Sequence, residues 1–153
     1  MENSELLEIV RKKAQVWLGP EYDEETRCEV QALLDKDDPT DLIEAFYKDL
    51  EFGTGGLRGI MGVGTNRMNI YTVATAAYAM AEMLEEKQQI KDVRIVISYD
   101  SRNNSRKFAE AAATAICTAG ARVIFSDRLR PVPMLSYAIR HYKADGGIMI
   151  TAS

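Results

Sequence analysis

The chain has 153 residues, 46% of them apolar, and a net charge of -4 from 19 basic and 23 acidic side chains. That length can bury one sizeable core, and interleaved charges with no basic face or polybasic run argue against nucleic acid or a membrane surface as partner. No stretch reaches the roughly 18 apolar residues that span a bilayer, and Met1-Glu2-Asn3 opens no signal peptide, so a cytoplasmic address is expected.

Leu6, Leu7, Ile9, Val10, Ala14, Trp17 and Leu18 recur at helical spacing, with Ser4 placed to cap the start and Gly19-Pro20 to end it. A second helix is predicted after Asp23, with Val30, Leu33 and Leu34 on one side. A third follows Asp38-Pro39, with Ile43, Phe46, Tyr47 and Leu50 inward. Cys28 and Cys117 sit in helical patterns without CxxC or metal spacing and read as buried free thiols.

The texture changes between Phe52 and Gly64, where six glycines allow positive φ and close approach of backbone to a ligand. Leu57, Ile60 and Val63 read as short strand pieces, expected to add an antiparallel edge. A helix capped by Asn69 carries Val73, Ala76, Ala77, Met80, Met83 and Leu84. Val93–Tyr99 is a strand that runs into the polar turn Asp100-Ser101-Arg102-Asn103-Asn104. A helix follows from about Ser105 to Gly120, then a strand at Arg122–Ser126. Pro131 and Pro133 mark a stiff turn before a last helix containing Met134, Leu135, Ala138, Ile139 and Tyr142, with His141 on its surface. Ile148-Met149-Ile150 is a short strand that delivers Thr151-Ala152-Ser153 at its carboxyl end. The alternation predicts an α/β fold: a three-layer α/β/α domain over 52–153 with a mixed, mostly parallel sheet, preceded by a helical extension over 1–51.

In open α/β sheets ligands gather beyond the carboxyl ends of the strands, where Asp100, Arg102 and Ser153 fall. Arg58, among the backbone amides of Thr54, Gly55 and Gly56, can hold phosphate, although the same glycines serve hairpin turns equally well. Both GxG starts fail the dinucleotide fingerprint, because Arg58 and Arg67 occupy the third glycine position, and no Gly-Lys-Ser or Gly-Lys-Thr makes a P-loop. Asp100 with Arg102 reads as a capped turn as readily as a site. Ser153 has no GxSxG context for acyl transfer; a serine that carries a phosphoryl group suits the surrounding arginines better. A strand that stops on such a loop leads us to expect a piece of a longer protein.

Taken together, Phe52-Gly53-Thr54-Gly55-Gly56-Leu57-Arg58-Gly59, Tyr99-Asp100-Ser101-Arg102, Pro131-Val132-Pro133 and Gly147-Ile148-Met149-Ile150-Thr151-Ala152-Ser153 resemble the α-D-phosphohexomutase superfamily, in that order. Leu50-Glu51-Phe52-Gly53-Thr54 and Asn66-Arg67-Met68-Asn69 resemble its longer-chain branch of phosphoglucomutases, phosphomannomutases and phosphopentomutases. The resemblance implies the first domain of a four-domain enzyme, cut at a serine loop that continues His-Asn-Pro in family members. It implies that Ser153 carries phosphate between positions of a sugar monophosphate by way of a bisphosphate intermediate, hexose phosphates first and pentose phosphates as the alternative. Arg58 would neutralise that phosphate, with Thr54, Gly55, Gly56, Asp100 and Arg102 lining the site. Magnesium would bind the Ser153 phosphoryl oxygen, and a glucose 1,6-bisphosphate-type activator would prime the enzyme. The metal, sugar and distal phosphate loops belong to later domains of the same polypeptide, so this chain alone is expected to be inactive. A non-catalytic phosphosugar-binding domain is the rival from another class.

Overall fold

The computed structural model describes residues 3–86 and 88–151. The chain divides into two compact units, Met1–Asn69 and Ile70–Ser153.

In the first unit three helices, α1 (Asn3–Val16), α2 (Glu24–Leu34) and α3 (Thr40–Phe46), gather around Val10, Ala14, Val30, Leu42 and Phe46, each at most 1% exposed. Trp17 closes this core, stacked on Tyr22 at 4.8 Å and edge-on to Phe46 at 5.6 Å. Asp23 caps α2 as predicted, accepting from the Thr26 amide at 2.8 Å. Ser4 is no cap, since α1 already includes Asn3. Tyr47 faces outward at 46% exposure, because α3 ends at Phe46 and no further turn carries Tyr47 inward.

The antiparallel pair β1 (Phe52–Gly53) and β2 (Gly56–Leu57) forms a two-stranded sheet of its own rather than an edge of the main one. Arms of two residues offer too few backbone groups to extend a ladder. Ile60 lies in no strand and is 68% exposed.

The second unit runs α4 (Ile70–Glu86), β3 (Arg94–Tyr99), α5 (Ser105–Thr118), β4 (Arg122–Phe125), α6 (Val132–His141) and β5 (Gly146–Ile150). Its sheet has the order β4-β3-β5 with both pairings parallel; Ile97 stands opposite Phe125 on one side and Ile148 on the other. Successive strand residues point to opposite faces, so two glycines reveal the layers. A Cβ on Gly146 would meet Met80 and Leu84 of α4, whereas one on Gly147 would meet Leu135 and Ile139 of α6. Helices α4 and α5 therefore cover one face and α6 the other, the three-layer arrangement expected of a sheet buried on both sides.

Several expectations need correction here. Asn69 directly precedes α4, and its side-chain amide donates back to the carbonyls of Gly62, Gly64 and Arg67 at 2.9, 3.0 and 3.3 Å, a use the capping pattern does not foretell. The two prolines are not a turn ahead of α6 but its first residues, Pro131 in the N-cap position and Pro133 one residue inside, where a missing amide costs nothing. Met83 lies off the inner stripe of Val73, Ala77, Ala81 and Leu84 and is 42% exposed. Both cysteines are free, as read, but exposed rather than buried, because Val30 and Ile116 take the inward positions of their helices.

The amino end of the sheet is clasped by Asp145, whose amide donates to the Arg94 carbonyl and whose Oδ2 accepts the Arg94 amide, both at 2.8 Å. Asp145→Ala removes the second of these bonds and is expected to lower stability by about 1 to 2 kcal/mol. Urea denaturation followed by circular dichroism measures it.

Candidate functional site

The rim at the carboxyl ends of β3, β4 and β5 is knitted by backbone bonds that continue the ladders. The Asp100 amide donates to Ile150 O at 3.2 Å, the Ser126 amide to Ile97 O at 2.9 Å, and the Arg130 amide to Tyr99 O at 3.2 Å. Beneath them the hydroxyls of Ser98 and Ser126 share a hydrogen bond of 2.8 Å between β3 and the end of β4. The rim loops are thus held by rigid strands, which is what a binding site on this fold requires.

Asp100 organises the loop it begins. Its Oδ1 accepts from the Arg102 amide at 3.1 Å and from the Ser105 hydroxyl at 2.6 Å, and its Oδ2 lies 3.4 Å from Arg102 Nε. Asp100 and Arg102, chosen from sequence, are therefore together, and the capped turn and the paired guanidinium are one structure. Ser105 was missed. It is fully buried at the first residue of α5, and the signal available was a hydroxyl five positions after the aspartate, at the start of a helix.

The next rim loop contributes Asp127 and Arg130, whose Nη2 approaches Asp127 Oδ1 at 3.1 Å. Desolvation works against the Asp127 charge, but Arg128 and Arg130 outweigh it and hold the carboxyl below its ordinary value. A cleft of about 470 Å³ opens from this loop along α6, with Ser98, Ser126 and Ile124 on the sheet side and Tyr137 and His141 on the helix side. Residues 100–105 do not line it. His141 is exposed, as read, and lies near-parallel to Tyr137 with ring centroids 5.6 Å apart.

Thr54 and Gly55 form the two-residue turn of the β1–β2 hairpin in the other unit. Gly53 pairs with Gly56, and Gly56 takes φ +116, a conformation glycine adopts freely. Arg58 is exposed directly after β2, and its Nη2 lies 3.3 Å from where a Gly55 Cβ would stand. The guanidinium therefore folds back over the turn, in space left by a missing side chain, beside exposed backbone. Thr54, Gly55, Gly56 and Arg58 thus share one hairpin.

Thr151 leaves β5 exposed at the rim; Ala152 and Ser153, the intended carrier, lie outside the described residues. Among the described residues no group of three or more His, Cys, Asp or Glu side chains could hold a metal ion. No helix among them is long and apolar enough to cross a membrane.

Residues 49–153 match the family described as phosphoglucomutase/phosphomannomutase, alpha/beta/alpha domain I. A phosphopentomutase of Mus musculus is 36% identical over 144 residues, covering 90% of this chain and 23% of that protein. A phosphoglucomutase of Staphylococcus haemolyticus is 38% identical over 110 residues, 72% of this chain and 20% of the relative. A probable phosphoribomutase of Schizosaccharomyces pombe is 33% identical over 146 residues, 95% of this chain and 25% of the relative. The chain thus spans a quarter or less of the length of these curated relatives. No solved structure matches it.

Proposed function

The chain belongs to the phosphoglucomutase/phosphomannomutase family, and we propose that it supplies the phosphate-carrying domain of a phosphosugar mutase. The observation that carries this reading is the match of its α/β/α domain over 49–153, a span that includes both rim loops and the terminal serine. In the proposed reaction a sugar hydroxyl forms the new P–O bond as the bond from phosphorus to Ser153 Oγ breaks, and the hydroxyl proton ends on Ser153. The bisphosphate so formed returns its other phosphoryl group to Ser153. The net change is the position of phosphate on the sugar, between carbons 1 and 6 in the hexose reading.

Phosphoryl transfer of this kind asks the protein for position and positive charge more than for covalent chemistry. Arg58 at the hairpin and Arg102 at the rim are the guanidinia we assign to that work, with the amides of Thr54, Gly55 and Gly56 as further donors. Magnesium and a glucose 1,6-bisphosphate-type activator are part of the proposal. The ion would neutralise phosphoryl charge, and no cluster of ligating side chains for it lies among the described residues. Sugar phosphate is the proposed small-molecule partner, and cytoplasm the proposed place.

A pentose phosphate is the second reading, favoured by the span of the relatives. Those named for pentose chemistry match 90% and 95% of the chain, against 72% for the Staphylococcus haemolyticus phosphoglucomutase. The test measures turnover of glucose 1-phosphate, mannose 1-phosphate and ribose 1-phosphate by a polypeptide of the relatives' length that carries this domain. Conversion of a hexose phosphate supports the first reading and of ribose phosphate alone the second; conversion of none overturns both. Arg58→Ala in that protein is expected to lower kcat/KM about a hundredfold, the scale for losing one charge-assisted donor to a developing charge.

A further inference from the structure

We propose that Ser105 is a positioning residue whose hydroxyl, acting through the Asp100 carboxylate, aims the Arg102 guanidinium at the phosphoryl group of the substrate. The purpose assigned to Arg102 rests on the mutase reading above; the positioning itself rests on geometry alone.

The chain of contacts is short and directional. Ser105 is fully buried, so its hydroxyl makes its bond away from water, and that bond, 2.6 Å to Asp100 Oδ1, is at the short end for a hydroxyl on a carboxylate. The same oxygen accepts the Arg102 amide at 3.1 Å, while the Ser105 amide donates to Arg102 O at 3.0 Å. Residues 100, 102 and 105 are thereby cross-tied within a six-residue loop, and both ends are anchored. Asp100 is fixed to β5 through Ile150 O, and Ser105 begins α5.

With Oδ1 engaged twice, Asp100 turns Oδ2 toward Arg102 Nε, 3.4 Å away. The Arg102 side chain keeps 51% of its surface in solvent, against 26% for Asp100. A carboxylate held from behind thus steers one edge of a guanidinium and leaves much of that side chain open at the rim. An arginine pre-oriented in this way loses less freedom when it takes an anion than one free to rotate, and for phosphate the planar fork must arrive in a defined direction.

A serine serving only to start α5 would predict something else. Its removal would shift stability and leave the Arg102 side chain alone, so the measurement is made at Arg102. In the 15N-labelled chain, exchange of the Arg102 Nε proton with water is followed by NMR, and inorganic phosphate is the titrated probe.

Ser105→Ala is expected to speed that exchange about tenfold, the change that follows from losing a bond of this class, and to abolish the phosphate-induced shift of the Arg102 Nε signal. Ser105→Thr, which keeps the hydroxyl, is expected to restore both. Asp100→Asn weakens the hold on Nε without removing the Ser105 acceptor, and should release Arg102 as well. A thermal melt of each variant identifies any that fails to fold, and the asparagine variant carries the test if the alanine one does.

Unchanged exchange at Arg102 in folded Ser105→Ala and Asp100→Asn chains overturns the positioning inference and leaves the mutase reading standing. Exchange that responds as expected while phosphate moves no Arg102 signal in the unaltered chain overturns the assigned purpose of the clamp.

Discussion

Ser153→Ala is expected to abolish phosphosugar turnover in a protein of the relatives' length, lowering kcat by at least about a thousandfold, because the proposed route has no step that avoids that oxygen. Alanine keeps the backbone and nearly the volume, so the change tests the hydroxyl rather than the fold. Strand β5 lies in parallel register with β3 up to the pairing of Tyr99 with Ile150, and Ile150 O accepts the Asp100 amide. That register delivers Thr151 to the rim beside the Asp100 loop, two residues ahead of the serine. A direct measurement accompanies the kinetics. A sugar bisphosphate carrying radioactive phosphorus should label the unaltered protein to about one phosphate per chain, and the alanine variant not at all. Normal turnover and labelling by the alanine variant would place the carrier elsewhere and sink the mechanism, whatever sugar is used.

The parts of the fold that could be read from sequence are those whose signal is local and repeated. Val93–Tyr99 is centred on the β-branched triplet Ile95-Val96-Ile97, α5 closes at Gly120 with φ +90 in the position expected of a C′ glycine, and the strand-helix alternation leaves little choice of topology. Asp100 and Arg102 were legible for the same reason, being two residues apart in one turn. Where a residue had two uses, the pattern did not choose between them. Asn69 could cap the helix it precedes or bond to the glycine loop behind it, and the donations of its side-chain amide to that loop have no sequence signature. Ser105 could start α5 or reach back to Asp100; it does both, and its spacing from the aspartate is compatible with either. Pro131 and Pro133 could rigidify a turn or open a helix, and their spacing is compatible with either. The glycine-rich hairpin, expected at an edge of the main sheet, makes a sheet of its own, because pairing partners are set by tertiary contacts and two-residue arms carry no periodicity.

Gly64→Ala is expected to destabilise the Met1–Asn69 unit by about 3 to 5 kcal/mol, the range reached when a side chain is forced into closed backbone. A Cβ there would run into the Ala45 carbonyl oxygen and stand 2.9 Å from both the carbonyl carbon and Cβ of Ala45. None of those atoms can swing aside, since Ala45 is 2% exposed within α3. Gly64 also takes φ +118, which an L side chain rarely adopts. The close approach has a purpose in the sequence around it. It brings Asn66 against the end of α3, where its amide and side chain donate to Ala45 O and Glu44 O, both at 2.9 Å, and so satisfy carbonyls that the helix leaves open. One residue earlier the Thr65 carbonyl accepts the Leu50 amide at 2.8 Å, tying the same loop to the chain that enters the Arg58 hairpin. Displacing Gly64 would therefore loosen the hairpin as well as the helix. Gly120→Ala supplies the comparison, for it too has positive φ but would meet nothing within 4 Å, so only the backbone cost of about 1 kcal/mol is expected. Trp17, the chain's one tryptophan, is packed in the same unit as Gly64, so its fluorescence in urea reports that unit directly. Circular dichroism in urea follows Gly120 in the other unit, and a Gly64→Ala loss no larger than that of Gly120→Ala would mean that the contact with Ala45 does not set the need for glycine.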